Sequence, residues 1–301
     1  MRPGVGAASA VGLGRVAVTG AGGRLGRALM AALDRRAPGS AVAWNRPDFD
    51  LDALDPVRLL ERDRPSLVIH AAAWTDVDGC ATNPSVALLR NGEATGRLAD
   101  ACAAAGAGLV VISTDEVFDG RRTDGRGYAE EDPTNPVNAY GASKLAGEEA
   151  ARRAFGGRAG LWVVRTAWLY GPPGGDFPAK ILVAADRLGY GDPLPVVADE
   201  SGSPTFTLDL AGGILQLVGA APEGGAFHLV NAGTATRYDW AAEILRRCRP
   251  GRSLRPISQA EFQRASTPPA WAVLDASRAA GLGVRLRSWD EALAGYLSSF
   301  C

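Results

Sequence analysis

A tyrosine and a lysine stand four residues apart in the stretch NAYGASKLAGE, at Tyr140 and Lys144. On a helix this spacing places both side chains on one face. A phenol ordinarily has a pKa of about 10 and exchanges its proton poorly at neutral pH. An adjacent ammonium stabilises the phenolate, so we expect Lys144 to lower the pKa of Tyr140 and to make it an acid/base group. A hydroxyl at a neighbouring strand end, Thr114, would then share the oxygen of a bound carbonyl group.

Thr114 begins a second group of reactive residues in the stretch STDEVFDG, where Asp115 and Glu116 follow it directly. Two adjacent carboxyl groups can act as an acid/base pair that removes water from a sugar. Alternatively, only the hydroxyl takes part, and the stretch is a strand end beside a cofactor. These residues alone leave both interpretations open.

A glycine-rich loop, VAVTGAGGRLGRAL, joins an expected strand to an expected helix. Glycine permits a turn with positive φ and lets the backbone approach a pyrophosphate, while the helix N-terminus offers free N–H groups. Between a strand and a helix, this motif predicts a dinucleotide-binding site. The expected cofactor contacts in this loop are Gly20, Gly22, Gly23, Arg24, Leu25 and Gly26.

The end of the second expected strand, in AWNRPDFDLD, indicates which dinucleotide is used. An acidic residue there binds the ribose 2′-hydroxyl of NAD, whereas an arginine favours the 2′-phosphate of NADP. Asn45 and Arg46 stand at this point, so the sequence favours NADPH, with NADH as the alternative. We expect Asp50 and Leu51 to border the adenine.

Short apolar runs alternate with helical stretches through the first half of the chain. The expected strands cover 15–20, 41–45, 66–73, 108–114 and 161–171, and the expected helices 24–36, 55–63, 84–106 and 138–155. This alternation predicts an α/β fold, a Rossmann-type doubly wound parallel sheet with helices on both faces. Beyond residue 171 the elements are shorter, with clear segments at 227–231 and 239–248. We expect an NAD(P)-binding domain over 14–171, with a later strand near 205–231, and a smaller substrate-binding domain over 172–204 and 232–301.

Composition and charge exclude several classes of function. With a net charge of −1 over 301 residues, there is no electrostatic case for binding nucleic acid or an anionic membrane. No apolar run approaches the roughly 20 residues of a membrane-spanning helix. Residues 1–13 lack the pattern of a secretory signal, and we expect a loose N-terminal tail.

The cysteines and histidines predict no metal site. The four cysteines form no C-x-x-C pair, and we expect all of them to be free thiols in a reducing cytoplasm: Cys80, Cys102, Cys248 and Cys301. The two histidines stand alone in apolar segments, and we expect them to be packed or hydrogen-bonded: His70 and His228.

Taken with further stretches, these features resemble the extended short-chain dehydrogenase/reductases and, within them, the dTDP-4-dehydrorhamnose reductases. The resemblance runs from Arg15 to about Leu297 and rests on VTGAGGRLG, HAAAWTDVDGC, ISTDEVFDG, NPVNAYGASKLAGE, VRTAWLYG, SGSPTFTLDLA and VLDASRAAGLGVRLRSWDEAL. The Y-x-x-x-K pair is common to the superfamily. The set AAAWTDVD, VFDG, RTAWLYG and GSPT is much more specific.

The resemblance implies hydride transfer from NADPH or NADH to the C4 carbonyl of a dTDP-4-keto-6-deoxyhexose, for rhamnose or for a natural-product deoxysugar. Tyr140 would protonate the alkoxide, Lys144 would lower the pKa of that phenol and hold the ribose, and Thr114 would donate a hydrogen bond. The nicotinamide would be bordered by Ala71, Ala72 and Ala73. The implied substrate contacts are Trp74, Val77, Asp78, Thr114, Asp115, Glu116, Trp168, Phe177, Ser203, Pro204 and Thr205. For each aromatic residue among them, an ordinary place in the core is an equal alternative.

Two departures from the reductase pattern leave the sugar open. Glu116 stands where these reductases usually have tyrosine, and Glu200 where they often have glutamine. Thr-Asp-Glu at this strand end is the pattern of nucleotide-sugar 4,6-dehydratases, so a dehydratase or epimerase of the same superfamily is one alternative. A non-enzymatic subunit like the regulatory β subunit of methionine adenosyltransferase is another. VFDG, RTAWLYG and GSPT favour the reductases, and thus a cytoplasmic enzyme that acts on a dTDP-sugar, as a monomer or a homodimer.

Overall fold

The computed structural model describes residues 14–189, 191–298 and 301, so the expected tail at 1–13 lies outside the described residues. The strands found there are β1 (Val16–Thr19), β2 (Ala41–Trp44), β3 (Leu67–His70), β4 (Gly108–Thr114), β5 (Leu161–Thr166), β6 (Leu169–Tyr170), β7 (Leu194–Val197), β8 (Ser201–Gly202), β9 (Thr205–Phe206), β10 (Gly224–His228), β11 (Ala235–Thr236) and β12 (Leu254–Ile257).

The helices of the same residues are α1 (Arg24–Arg36), α2 (Pro56–Asp63), α3 (Val77–Thr82), α4 (Pro84–Ala87), α5 (Ala94–Ala105), α6 (Ala139–Phe155), α7 (Phe177–Arg187), α8 (Thr207–Ala220), α9 (Arg237–Cys248), α10 (Ser277–Gly281) and α11 (Trp289–Leu297). A π-helical segment over Leu88–Glu93 joins α4 to α5. These three segments together form the long helix that the sequence predicts at 84–106.

A six-stranded parallel sheet lies at the centre of the described residues, in the order β10-β5-β4-β3-β1-β2. The direction in which strands are added reverses between β1 and β3. Ligands of doubly wound sheets bind outside the carboxyl ends of the strands at such a reversal. The predicted fold class is therefore confirmed, and its topology marks one edge of the sheet for a ligand.

Helices cover both faces of this sheet because the strands are apolar on both sides. On one face, Leu29 of α1 and Ile214 of α8 are fully buried against the strands. On the other face, Leu59 of α2 and Leu98 of α5 are fully buried. This two-sided cover fixes the strand ends, from which the loops of the cleft extend.

A third apolar core lies in the C-terminal part of the chain, where α7, α9 and α11 pack together. Tyr170, Trp240 and Ile244 are fully or almost fully buried within it. One strand of the later sequence, β10, belongs to the central sheet rather than to this core. The domain boundaries given above stay a prediction.

Several expected strands differ from those found, and the one expected over 66–73 ends at His70. The single strand expected over 161–171 is divided into β5 and β6, because Trp168 adopts a φ of +44° and turns the backbone. The strand expected over 227–231 is found as Gly224–His228. The strand expected at 108–114 and the helix expected at 24–36 are confirmed to the residue.

The cysteine prediction is half wrong. Cys80 and Cys102 are free and buried, but Cys248 forms a disulfide with Cys301, and their Cα atoms lie 5.2 Å apart. The two residues are 53 positions apart in the chain, and only the fold brings the end of α9 to the end of the chain. Spacing within the sequence therefore gave no sign of this pair.

The histidine prediction is confirmed. The two ring nitrogens of His70 lie 2.8 and 3.1 Å from the hydroxyls of Thr19 and Thr95. Nδ1 of His228 lies 3.1 Å from the carbonyl oxygen of Asp275. Across the described residues, no helix is both long and apolar enough to cross a bilayer. No group of three or more metal-binding side chains occurs in that part of the chain.

Candidate active site

A cleft of about 820 Å³ lies along the carboxyl ends of β1, β3, β4 and β5. This is the edge of a parallel sheet at which ligands bind. Among the predicted site residues, the cleft is lined by Gly20, Gly22, Gly23, Arg24, Leu25, Asn45, Arg46, Leu51, Ala71, Ala72, Ala73, Val77, Thr114, Asp115, Glu116, Tyr140, Lys144 and Trp168.

The glycine loop packs tightly against its neighbours and leaves the start of α1 uncapped. Gly20 has a φ of +62°, and a Cβ there would lie 2.9 Å from the Cα of Ala72. At Gly26 a Cβ would lie 2.6 Å from the Cα of Ala21, so this glycine lets α1 pack against the turn and does not line the cleft. The N-cap of α1 is Gly23, with no side-chain cap and no acidic residue in the first turn. The helix therefore presents N–H groups and the positive end of its dipole, which suit a pyrophosphate.

The end of β2 supports this loop. Oδ1 of Asn45 accepts a hydrogen bond of 2.9 Å from the N–H of Gly22. The side chain of Arg46 is 76% exposed, and its Nε lies 3.9 Å from a carboxylate oxygen of Asp50. Asp50 itself does not line the cleft. An exposed guanidinium at this strand end suits a 2′-phosphate.

The start of α6 lies directly against the turn that follows β4. Oδ1 of Asn138 caps the helix by accepting a 2.8 Å hydrogen bond from the N–H of Gly141. A Cβ on Gly141 would lie 2.9 Å from the carbonyl carbon of Glu116, so only glycine allows this approach. The contact brings Tyr140 and Lys144 into the cleft that Thr114 also lines.

The expected lowering of the Tyr140 pKa is wrong for this structure. Burial of the phenol raises its pKa above the ordinary value, and the negative charges of Glu116 and Asp115 raise it further. A hydrogen bond with Thr114 acts in the opposite direction. Desolvation and the two carboxyl groups together determine the direction. The phenol is therefore protonated at neutral pH, as a proton donor must be.

Lys144 lies one helical turn before a buried ion pair. Burial lowers the pKa of Lys144 to about 8, opposed by the negative charge of Glu148. Arg165 holds Glu148 with two hydrogen bonds, of 3.0 and 2.8 Å, and the hydroxyl of Ser113 donates a third, of 2.5 Å. Burial alone would raise the pKa of Glu148, but these bonds hold it below its usual value. Glu148 therefore stays ionised and favours the ammonium form of Lys144.

Asp115 and Glu116 differ in their partners. Oδ1 of Asp115 accepts a 2.9 Å hydrogen bond from the hydroxyl of Thr114, while its Oδ2 is buried and has no hydrogen-bond partner among the described residues. Oε2 of Glu116 accepts a 2.6 Å hydrogen bond from Asn138. Burial and the charge of Glu116 raise the pKa of Asp115 to about 7. Burial raises the pKa of Glu116 as well, against the hydrogen bond from Asn138.

An arginine that the sequence analysis missed also lines the cleft. Arg237 is the first residue of α9, and its guanidinium lies 3.5 Å from the ring centroid of Trp168. Its Nε lies 3.5 Å from a carboxylate oxygen of Glu200, the second departure noted in the sequence. Thr236 and Asp239 form a capping box. In the sequence TRYD this motif indicates that a helix begins, but not that the helix begins at the cleft. Other lining residues not predicted are Phe49, Thr75, Ile112, Ser113, Thr166, Ala167 and Leu169.

Several predicted substrate contacts do not reach this cleft. Phe177 stacks on Trp240 with ring centroids 4.5 Å apart, as part of the third core. Asp78 accepts a 2.8 Å hydrogen bond from the N–H of Ser266, and the N–H of Trp74 donates to Asn91. The remaining three are buried away from the cleft: Ser203, Pro204 and Thr205.

Comparison with known proteins agrees with this geometry. The family model described as the RmlD substrate binding domain matches residues 14–301. The dTDP-4-dehydrorhamnose reductase of Streptomyces griseus is 40% identical over 295 residues, covering 94% of this chain and 93% of the relative. The dTDP-4-keto-6-deoxy-D-glucose reductase of Streptomyces niveus is 41% identical over 283 residues, covering 92% and 94%.

A solved structure leads to the same family. The dTDP-4-dehydrorhamnose reductase of Bacillus anthracis, in complex with NADP, superimposes with a TM-score of 0.87 at 30% identity. The match covers 95% of this chain and 99% of that one. Sequence, family model and fold agree over nearly the whole length, and the chain therefore belongs to the dTDP-4-dehydrorhamnose reductase family.

Proposed function

We propose that this protein is a dTDP-sugar 4-ketoreductase, which uses NADPH to reduce the C4 keto group of a dTDP-4-keto-6-deoxyhexose. The observation that carries this proposal is the convergence of Thr114, Tyr140 and Lys144 beside the glycine loop, in one cleft. The relatives indicate the substrate class, because those named above are reductases of dTDP-4-keto-6-deoxy sugars.

The residues around the glycine loop fit a dinucleotide. Gly20 lets the loop pass close to Ala72, α1 offers uncapped N–H groups for a pyrophosphate, and Arg46 offers a cation for a 2′-phosphate. Ala72 and Ala73 leave space above the sheet for a nicotinamide, and Lys144 would hold its ribose. When bound, NADPH supplies the hydride.

The side chains beside the nicotinamide site would supply the proton that the reduction needs. The phenol of Tyr140 would donate its proton to the oxygen on C4 as that oxygen gains negative charge. The hydroxyl of Thr114, which donates to Asp115 in this structure, would turn to donate to the same oxygen, and the ammonium of Lys144 would stabilise the phenolate left behind. The raised pKa of Tyr140 suits this role, since the reduction needs a protonated phenol at the start.

Replacement of the phenol tests these roles. In Tyr140→Phe, kcat for reduction of a dTDP-4-keto-6-deoxyhexose by NADPH should fall by about 100-fold or more, since general acid catalysis contributes about that much. The dissociation constant of NADPH should change little. Tyr238→Phe, which removes a phenol hydroxyl outside the cleft, is the matched control. Unchanged turnover in Tyr140→Phe would refute the assignment.

The same assay separates the reductase from its alternatives. A 4,6-dehydratase or epimerase returns the hydride to its sugar and consumes no free NADPH, whereas this reaction consumes one NADPH for each sugar. A regulatory subunit would turn over no nucleotide sugar. We further propose a cytoplasmic location and leave a homodimer as a prediction, which light scattering at several protein concentrations tests.

A further inference from the structure

Two oppositely charged side chains, Glu116 and Arg237, line the same cleft without pairing. Among the described residues they form no ion pair within 4.0 Å, although each charge acts on the other. The carboxylate of Glu116 has one hydrogen bond to the described part of the chain, at Oε2 from Asn138. The guanidinium of Arg237 has one, from Nε to Glu200, so within the described residues its Nη1 and Nη2 groups have none. The cleft is therefore lined by a hydrogen-bond acceptor, the carboxylate of Glu116, and by the free Nη donors of Arg237.

Arg237 is held firmly by its neighbours. Its ring partner is Trp168, at 3.5 Å, and its backbone N–H donates to the carbonyl oxygen of Glu200 at 3.2 Å. The carboxylate of Glu200 is 3% exposed and also accepts a 2.6 Å hydrogen bond from Nη2 of Arg264. A planar guanidinium fixed in this way loses little freedom when it binds a ligand.

The charges around Arg237 indicate what it binds. Three carboxyl groups act on its guanidinium, those of Glu200, Asp115 and Glu116. A phosphate placed here would meet these carboxyl groups, and like charges repel strongly at a site shielded from water. A hydroxyl, in contrast, can donate to Glu116 and accept from Arg237 at the same time.

The position of the pair along the cleft selects the hydroxyl. The N–H of Glu116 donates to Oγ1 of Thr114 at 3.2 Å, so Glu116 directly follows the group that would hold the oxygen on C4. On a 6-deoxyhexose, one neighbour of C4 is C5, which carries a methyl group and the ring oxygen. The other neighbour is C3, followed by C2, and these carbons carry the hydroxyls.

We propose that Glu116 and Arg237 determine specificity by binding the ring hydroxyls next to the reacting carbon, so that the enzyme selects 4-keto sugars that carry a C3 hydroxyl over 3-deoxy sugars. This proposal rests on the proposed function. It gives the two departures from the reductase pattern one purpose: Glu116 contacts the hydroxyl, and Glu200 balances the charge of the arginine that contacts it.

The test compares two substrates across matched variants. kcat/KM is measured with NADPH for a dTDP-4-keto-6-deoxyhexose and for its 3-deoxy counterpart. The wild-type enzyme should prefer the hydroxylated sugar by about 100-fold or more, because a site that hydrogen-bonds a hydroxyl rejects a ligand without one. Arg237→Met and Glu116→Gln should each lower kcat/KM for the hydroxylated sugar by about 10-fold or more beyond any loss on the 3-deoxy sugar, so that the preference of the wild type shrinks by that factor. Arg246→Met, on the outer face of α9 and paired with Glu243, is the control.

Each result decides one question. Equal losses on both sugars, or a wild-type enzyme that does not distinguish them, would overturn the specificity proposal while the function stands. A wild-type enzyme that reduces neither sugar would overturn the function itself. If Arg237→Met does not fold because Glu200 loses a partner, Glu116→Gln and the double variant Arg237→Met/Glu200→Gln give the same comparison.

Discussion

Replacing Asp115 with asparagine should stabilise the protein at neutral and higher pH, although the residue lies in the candidate active site. The carboxyl group is 3% exposed, and its Oδ2 is buried without a hydrogen-bond partner among the described residues. Burial, with the charge of Glu116, raises the pKa of Asp115 from 3.8 to about 7. The folded protein therefore keeps a proton that the unfolded chain has already lost.

The size and sign of the effect follow from this difference. Between pH 4 and pH 7 the unfolded chain binds fewer protons than the folded protein, so the free energy of unfolding falls as pH rises. Each unit of difference between the pKa values in the folded and unfolded states corresponds to about 1.36 kcal/mol. At a pH where the carboxyl group is ionised in both states, its burial therefore lowers the free energy of unfolding by about 4 kcal/mol. Between pH 5 and pH 8 alone, the wild type should lose about 2 to 3 kcal/mol relative to an asparagine variant.

Urea denaturation of both proteins at pH 5, 6, 7 and 8 measures this difference. Any pH-independent cost of the buried amide cancels, because the prediction concerns the change in the stability difference with pH. Asp34→Asn, at an exposed carboxylate on α1, serves as the control. A stability difference for Asp115→Asn that does not change with pH would refute the reasoning, since the buried carboxyl would then not be protonated in the folded state.

Three further predictions follow from other parts of the structure. The kcat/KM of reduction should fall as pH rises through about 8, where Lys144 loses its proton, and a pH profile checks this. Arg46→Ala should raise KM for NADPH by about 10-fold and leave KM for NADH unchanged, because only NADPH carries the 2′-phosphate. Without reductant, Cys301→Ser should lower the free energy of unfolding by about 4 kcal/mol. The disulfide closes a loop in the unfolded chain, and the entropy that a loop of this length loses corresponds to that energy. With dithiothreitol the two proteins should have equal stability in urea.

The parts of the site that could be predicted are those fixed by local rules. The glycine loop and the Tyr140–Lys144 pair depend on spacing within one turn or one helix. Thr114 ends a buried strand, and parallel strands bring their carboxyl ends to one edge. For these residues, a position in the chain implied a position at the cleft.

The parts that could not be predicted depend on distant segments. Arg237 reaches the cleft only because α9 begins beside Trp168, and no local pattern reports that contact. The Cys248–Cys301 bond likewise depends on where the last helix ends. The prediction for the pKa of Tyr140 was wrong for a related reason. The pattern indicated a nearby ammonium but not how deeply the phenol is buried, and burial has the largest effect on this pKa.

The charged residues around Arg237 form a series of alternating sign, which makes them depend on one another. Glu116 acts on Arg237, Arg237 pairs with Glu200, and Glu200 pairs with Arg264. Removing one partner of a buried pair leaves an uncompensated charge, which destabilises a protein more than removing both. The carboxylate at position 200 is balanced by two arginines, Arg237 and Arg264, and Arg237 in turn brings a positive charge into the cleft that Glu116 also lines. On this reasoning, Glu116 and Glu200, which both depart from the reductase pattern, belong to one charged cluster. Replacing Glu200 alone should therefore alter the preference between sugars, although Glu200 does not line the cleft.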